Sequence, residues 1–159
     1  MDRKVVFRLA NKNDAAILAM KLRDQDYHEL QAAHGIDVDV KAVLERAIDV
    51  SREAYVAECS KTGELILMFG VSIFNEKKNV GCPWLLGSDK TKTLARELLG
   101  FGKSYVSEWK KDYQGLINFV DARNTMSVRF LKKLGFMIHD PIEFGALKKQ
   151  FHPFTMMGG

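Results

Sequence analysis

The sequence predicts one α/β (α+β) domain, a sheet flanked by about four helices. Three observations carry that reading. Apolar residues change period repeatedly along the chain, in the order strand, two helices, three strands, helix, strand, helix, two strands. Residues 116–136 hold a strand, a helix start, an amphipathic helix and a glycine stop without a gap. A length of 159 residues, with 47% hydrophobic and 28% charged, suits a single core that needs no metal or disulfide staple.

Val5, Val6, Phe7 and Leu9 mark the first strand. Asn11 to Asp14 supplies polar capping residues, so the pattern predicts a long helix over 15–33, stopped at Gly35. A second helix over 38–51 carries Val40, Val43, Leu44, Ala47 and Ile48 on its inner face. Strands at 54–59 and 65–74 flank the turn Lys61-Thr62-Gly63-Glu64 and read as a hairpin. A polar loop at 75–79 leads to an apolar segment at 80–86, which Gly87-Ser88-Asp89 ends. The third helix starts at Thr91 or Thr93 and reaches about Trp109 on the spacing of Leu94, Leu98, Leu99, Phe101, Tyr105 and Val106. Gly100 and Gly102, each costing about 1 kcal/mol against alanine, are expected to bend or interrupt it.

Leu116, Ile117, Phe119 and Val120 form a near-continuous apolar run, the mark of a strand covered on both faces. Asn124 reads as the cap of the next helix, its side-chain oxygen accepting from free backbone N–H groups. Met126, Phe130, Leu131 and Leu134 then recur at helical spacing, with Arg129, Lys132 and Lys133 on the wet side. Gly135 suits the left-handed position past the last turn, and Phe136 folds back onto Leu131 in a Schellman-type closure. Two final strands are expected at 137–139 and 151–156, with a loop over 141–150 between them and 157–159 frayed.

Bulk properties narrow the function classes. No apolar run approaches the ~20 residues of a membrane span. Met1-Asp2-Arg3-Lys4 leads straight into a short strand with no secretory apolar region, which points to the cytoplasm. Cys59 and Cys82 read as two buried or half-buried thiols, with a bridge between them left open by sequence. His28, His34, His139 and His152 form no ligand pattern, so no metal is expected. Net charge is +4, unevenly spread: residues 1–60 carry nine Lys or Arg against eleven Asp or Glu, and residues 89–133 carry ten against five. The basic region suits an anionic ligand or a solvated helix face, and it lacks the interleaved aromatics of a nucleic-acid surface.

Arg23, Asp26 and Glu29 are spaced three apart on the first predicted helix. On one face they would present two carboxylates as candidate general bases and Arg23 as a substrate contact; the plain alternative is a surface ion-pair ladder worth a few tenths of a kcal/mol. Trp84 either walls a cleft or fills the core.

Asn124, Ser127, Phe130, Lys133, Gly135 and Phe136 follow an apolar strand in a definite register. Through them the chain resembles the last conserved segment of the GCN5-related N-acetyltransferase (GNAT) superfamily. The resemblance implies a mixed, mostly antiparallel sheet whose central strands, here 80–86 and 116–120, splay into a V-shaped opening for the pantetheine arm and thioester of acetyl-CoA. It implies a cofactor site at Leu86, Gly87, Ser88, Thr91 and Asn124, with Asp26 and Glu29 catalytic and Arg23 and Trp84 on the substrate. Two departures stand out. The loop Gly87-Ser88-Asp89-Lys90-Thr91-Lys92-Thr93 lacks the superfamily's Gln/Arg-x-x-Gly-x-Gly/Ala phosphate cradle, and Asp89 repels an anion. Leu131 stands where many of these enzymes carry a tyrosine that protonates the thiolate, leaving Tyr105 or Tyr27 to substitute through space.

A narrower likeness runs through residues 22–29, with Ala32 and Gly35, then 84–89, 119–125 and 151–154. These residues are similar to the GNAT-like proteins related to the internal virion protein of T7-like phages. That resemblance implies a protein of virion morphogenesis with degenerate acetyltransferase machinery, located in the host cell cytoplasm or the virion, with a phage or host protein as partner. The alternative is an active acetyl-CoA-dependent N-acyltransferase modifying a protein or a small amine. An open gap between the splayed strands favours the second, and a gap plugged by Trp84, Phe119 or Leu131 the first.

Overall fold

The computed structural model describes residues 4–159, and the charged leader at 1–3 lies outside the described residues. The elements run β1 (Val5–Leu9), α1 (Lys12–Ala19), α2 (Asp24–His34), α3 (Val40–Val50), β2 (Ser51–Cys59), β3 (Leu65–Asn75), β4 (Val80–Gly87), α4 (Lys90–Thr93), α5 (Ala95–Asp112), β5 (Gly115–Asp121), α6 (Thr125–Leu134), β6 (Met137–Ile138), β7 (Ile142–Phe144) and β8 (Lys149–Met157). They build an 8-stranded sheet of order β1-β2-β3-β4-β5-β8-β6, with β7 also on β8. All pairs are antiparallel except β4 with β5.

Helices cover both faces. On one, α5 and α6 bury Leu98, Val106 and Trp109 against Phe69, Val71, Leu116 and Val120. On the other, α1, α2 and α3 bury Leu18, Leu30 and Leu44 against Val56, Met68 and Leu86. Such two-sided cover explains why β3 and β5 read as apolar runs rather than alternating strands. Gly102 permits the close approach of α5 to α6, since a Cβ there would stand 2.9 Å from Leu134 Cδ2. Gly135 adopts the left-handed conformation (φ 105°), and Phe136 N–H closes on Leu131 C=O at 3.1 Å, the expected Schellman-type end.

Several expectations need correction. The long helix over 15–33 is two helices, because the chain leaves α1 after Met20 and meets the end of β4: Leu22 bridges Ser88, and Arg23 N–H donates to Gly87 C=O at 2.9 Å. Arg23 therefore precedes α2 instead of sharing a helical face with Asp26 and Glu29. The third helix breaks at Leu94, between α4 and α5, and passes through Gly100 and Gly102 without interruption. The loop over 141–150 contains β7, and the end is pinned rather than frayed: Gly158 N–H donates to Gln114 C=O and Gly159 N–H to Lys110 C=O, each at 2.8 Å. Cys59 and Cys82 are half-buried and unbridged, which closes the disulfide alternative.

The β7–β8 turn clasps the end of α2. Ala146 and Leu147 N–H groups donate to the Ala33 and Ala32 carbonyls at 3.1 Å, satisfying acceptors that a helix end leaves free. Gly145 sits at φ 82°, and a Cβ on it would lie 2.6 Å from Ala32 O. Gly145→Ala is expected to lower stability by more than the ~1–2 kcal/mol of the backbone conformation alone, with amide exchange accelerated at Ala146 and Leu147 first. Urea unfolding with hydrogen exchange checks this, and an unchanged midpoint would refute the clasp.

Candidate active site

β4 and β5 pair only at Val80–Gly115 and Gly81–Leu116, then part. The expected wedge is present. Asn118 Nδ2 reaches across it to Pro83 C=O at 2.8 Å. The opening belongs to a cleft of about 410 Å³ that runs through the sheet, lined by Leu98, Tyr105, Ser127, Phe130 and Leu131 from α5 and α6, and by Glu29, Leu30, Val43 and Ala47 from α2 and α3. Trp84, Phe119 and Leu131 line this space rather than filling it.

Below the cleft lies a buried polar cluster. Arg23 and Asp26 form an ion pair at 3.1 Å with side chains 7% and 4% exposed. Asn124 completes it, accepting from Arg23 Nη2 at 2.8 Å through Oδ1 and donating to Asp26 Oδ1 at 3.0 Å through Nδ2. The other oxygen of Asp26 accepts from Gly87 N–H at 2.9 Å. Burial pushes the Asp26 carboxyl up from its usual range, against the pull of Arg23, Gly87 N–H and Asn124. Two readings change accordingly. Asn124 makes no side-chain cap to α6, because its amide is committed to Arg23 and Asp26. The ladder on a wet surface is instead a buried brace joining α2, β4 and the start of α6.

Glu29 is the carboxylate that reaches the cleft. It is half-buried, and it accepts from Asp121 N–H at 2.7 Å. Removal from water is the largest influence on it; the Asp121 N–H opposes that, the nearby Asp26 and Asp121 charges reinforce it, and the carboxyl is pushed up to about 8. Asp121 behaves in the opposite way. Burial would raise it, but bidentate Arg123 at 2.7 and 3.0 Å, with the Arg123 N–H, holds it below the ordinary range.

The nominated cofactor residues divide. Leu86 lines the cleft. The Gly87 N–H is taken by Asp26, and Ser88 is turned inward, its N–H and hydroxyl both on Ile66 C=O at 2.9 and 2.7 Å. Thr91 Oγ1 is buried with no partner among the described residues, and a methyl group on Gly87 would collide with it. Arg23 is held in the brace, and Trp84 lines the cleft with its indole N–H on Ser51 Oγ at 2.8 Å. Tyr105 lines the cleft and Tyr27 does not. Asn118 and Ser127 are polar lining groups whose roles periodicity did not reveal. The signal for Asn118 was positional only, a polar residue inside an apolar strand, and Ser127 stood in the register that carries the resemblance without a role of its own. Among the described residues, no group of three or more His, Cys, Asp or Glu could hold a metal, and no helix is long and apolar enough to cross a membrane.

This architecture is that of the GNAT acetyltransferases. The chain is similar in structure to spermidine N-acetyltransferase from Vibrio cholerae in complex with CoA and spermine, at a TM-score of 0.70 and 12% identity over 98% of this chain and 96% of that one. Ard1 from Thermoplasma volcanium matches at 0.71 and 12% over 99% of both chains. A GNAT superfamily phosphinothricin acetyltransferase from Sinorhizobium meliloti in complex with AcCoA matches at 0.66 and 13% over 99% and 90%. At these identities the likeness establishes the fold. No protein-family model matches the sequence, nor does any curated protein.

Proposed function

We propose that this protein is an acetyl-CoA-dependent N-acyltransferase that modifies an amine, on a protein or a small molecule. The observation that carries this is the open wedge between β4 and β5, with Glu29 on the wall of the cleft it opens into. The residues fit the arm of the cofactor in part: β4 and β5 separate beyond Gly81 and Leu116 and the α5–α6 side of the cleft is apolar, while side chains of Asn118, Glu29 and Asp26 already engage Pro83 C=O, Asp121 N–H and Gly87 N–H along the parted edges. Lys90 and Lys92 are the cations nearest in sequence to the end of β4 for its phosphates, and Thr91 Oγ1 has an unmet hydrogen bond beside Gly87. Acetyl-CoA, where bound, supplies the activated acetyl group.

The remaining work falls to this chain. Glu29, raised to about 8, takes the proton from an incoming ammonium so that the nitrogen lone pair is free. The walls exclude water, which strengthens every charge interaction inside. Tyr105 and Ser127 carry the hydroxyls available on the α5–α6 side, where Leu131 has none.

A second reading is a binding protein of phage virion assembly, acting in the host cytoplasm or virion on a phage or host protein. The inward-turned Gly87 and Ser88 support it, because two N–H groups that could face a phosphate are already spent. Isothermal titration with acetyl-CoA, followed by acetyl transfer to an amine panel, separates the two. Micromolar binding with turnover is the expected result. No heat at millimolar acetyl-CoA would overturn the enzyme reading.

A further inference from the structure

We propose that the acceptor is a monoamine carried on a flat aromatic or apolar body, seated on the α2 side of the cleft between Trp84, Phe119 and Phe144 with its amino group at Glu29. The binding part stands on the shape and charge of the cleft; only the fate of the amine rests on the acyltransferase reading.

Phe119 and Asp121 are two apart on β5, so their side chains face the same side of the sheet, and the Phe119 ring and Glu29 line the same cleft. Phe144 stacks on Phe119 with ring centres 4.2 Å apart and planes 11° from parallel, and meets Phe151 edge-on at 5.2 Å. The ring wall is fixed from behind. Trp84 is fixed too, by its hydrogen bond to Ser51. Flat rings of this kind accept a flat apolar body at small entropic cost, and their faces attract an ammonium.

Charge sets the other limit. Among the described residues lining the cleft, Glu29 is the sole carboxylate, the imidazole of His34 on α2 is the sole basic group, and neither Lys nor Arg is present. A second ammonium on the ligand, as in a polyamine, would lose its water without gaining a counter-ion, which is strongly unfavourable. A carboxylate on the ligand would meet Glu29 and find no Arg or Lys, with only the imidazole of His34 at the α2 end of the cleft. One cation and an uncharged flat body are what remain.

The test uses calorimetry at pH 8.5 with 2-phenylethylamine, tryptamine, spermidine and a tripeptide with a free N-terminus, each titrated into the intact protein and repeated with the acetyl transfer assay. The aromatic monoamines are expected to bind at least tenfold more tightly than spermidine or the peptide. Phe144→Ala should weaken them about tenfold, and Glu29→Gln should abolish the preference for 2-phenylethylamine over uncharged 2-phenylethanol. Phe144→Leu provides the same comparison in a better-filled site should the alanine variant misfold. Equal or tighter spermidine binding, or aromatic amine binding untouched by both Phe144 variants, overturns the proposal. Acetyl transfer to spermidine or the peptide alone overturns it while sparing the acyltransferase reading. Tight aromatic amine binding without turnover supports it while sinking that reading.

Discussion

Glu29→Gln is expected to lower kcat/KM for acetyl transfer by roughly 10²- to 10⁴-fold, the usual contribution of a positioned general base. The native rate should rise with pH and level off above about 8, where the Glu29 carboxyl has lost its proton, and the variant should lack that step. The same group makes a stability prediction of opposite sign. Below 4.5 both the folded and the unfolded chain hold the Glu29 proton; between 4.5 and about 8 the folded chain keeps it and the unfolded chain does not. Folding stability from this group therefore falls as pH rises through that window and is lowest above about 8. Glutamine removes the fall. The variant should melt at a higher temperature than the native protein above pH 8, and the gap should close toward pH 4.5. Thermal melts across this range check the assignment, and a variant less stable at alkaline pH would refute it.

Arg23→Met is expected to cost about 3–5 kcal/mol, because it leaves the buried Asp26 charge without its countercharge, with only Gly87 N–H and Asn124 Nδ2 on it, and leaves Asn124 Oδ1 without its donor. That is a large share of the ~5–15 kcal/mol that holds a domain together. Adding Asp26→Leu should restore much of the loss, since a removed pair is far less harmful than a broken one. Asn124→Ala should cost less, about 1–3 kcal/mol, as it removes hydrogen bonds from a neutral amide to the two charges but leaves the ion pair itself in place. Urea unfolding of the four proteins decides. A cost under ~1 kcal/mol for Arg23→Met would mean that solvent reaches the pair.

Legibility in the sequence followed the range of the forces involved. The β5–α6–Gly135 unit was readable because cap, period and stop are local, and the splay of β4 from β5 followed from the resemblance those residues carry. Local rules failed where distant backbone intervened. Nothing between Ala19 and Asp24 breaks a helix by composition; the end of β4 draws that segment out of helical form. β7 escaped notice because Ile142-Glu143-Phe144 is short, follows Pro141, and becomes a strand only by pairing with β8. The function of Asn124 was misjudged for the same reason. A side chain suited to capping found a stronger partner 101 residues away in Arg23. Glu29 was visible as a candidate, but its rise to about 8 comes first from burial, with the Asp26 and Asp121 charges adding to it, surroundings that only folding supplies.

The clasp between the β7–β8 turn and α2 ties two properties that enzymes commonly vary separately. Glu29 rides on α2, and Phe144 rides on the strand whose turn grips the last carbonyls of that helix. An insertion that enlarged the turn and reshaped the cleft at Phe144 would also displace Glu29. The shape of the cleft should therefore change more readily through Val43 and Ala47 on α3, which can vary in size while leaving Glu29 where it is.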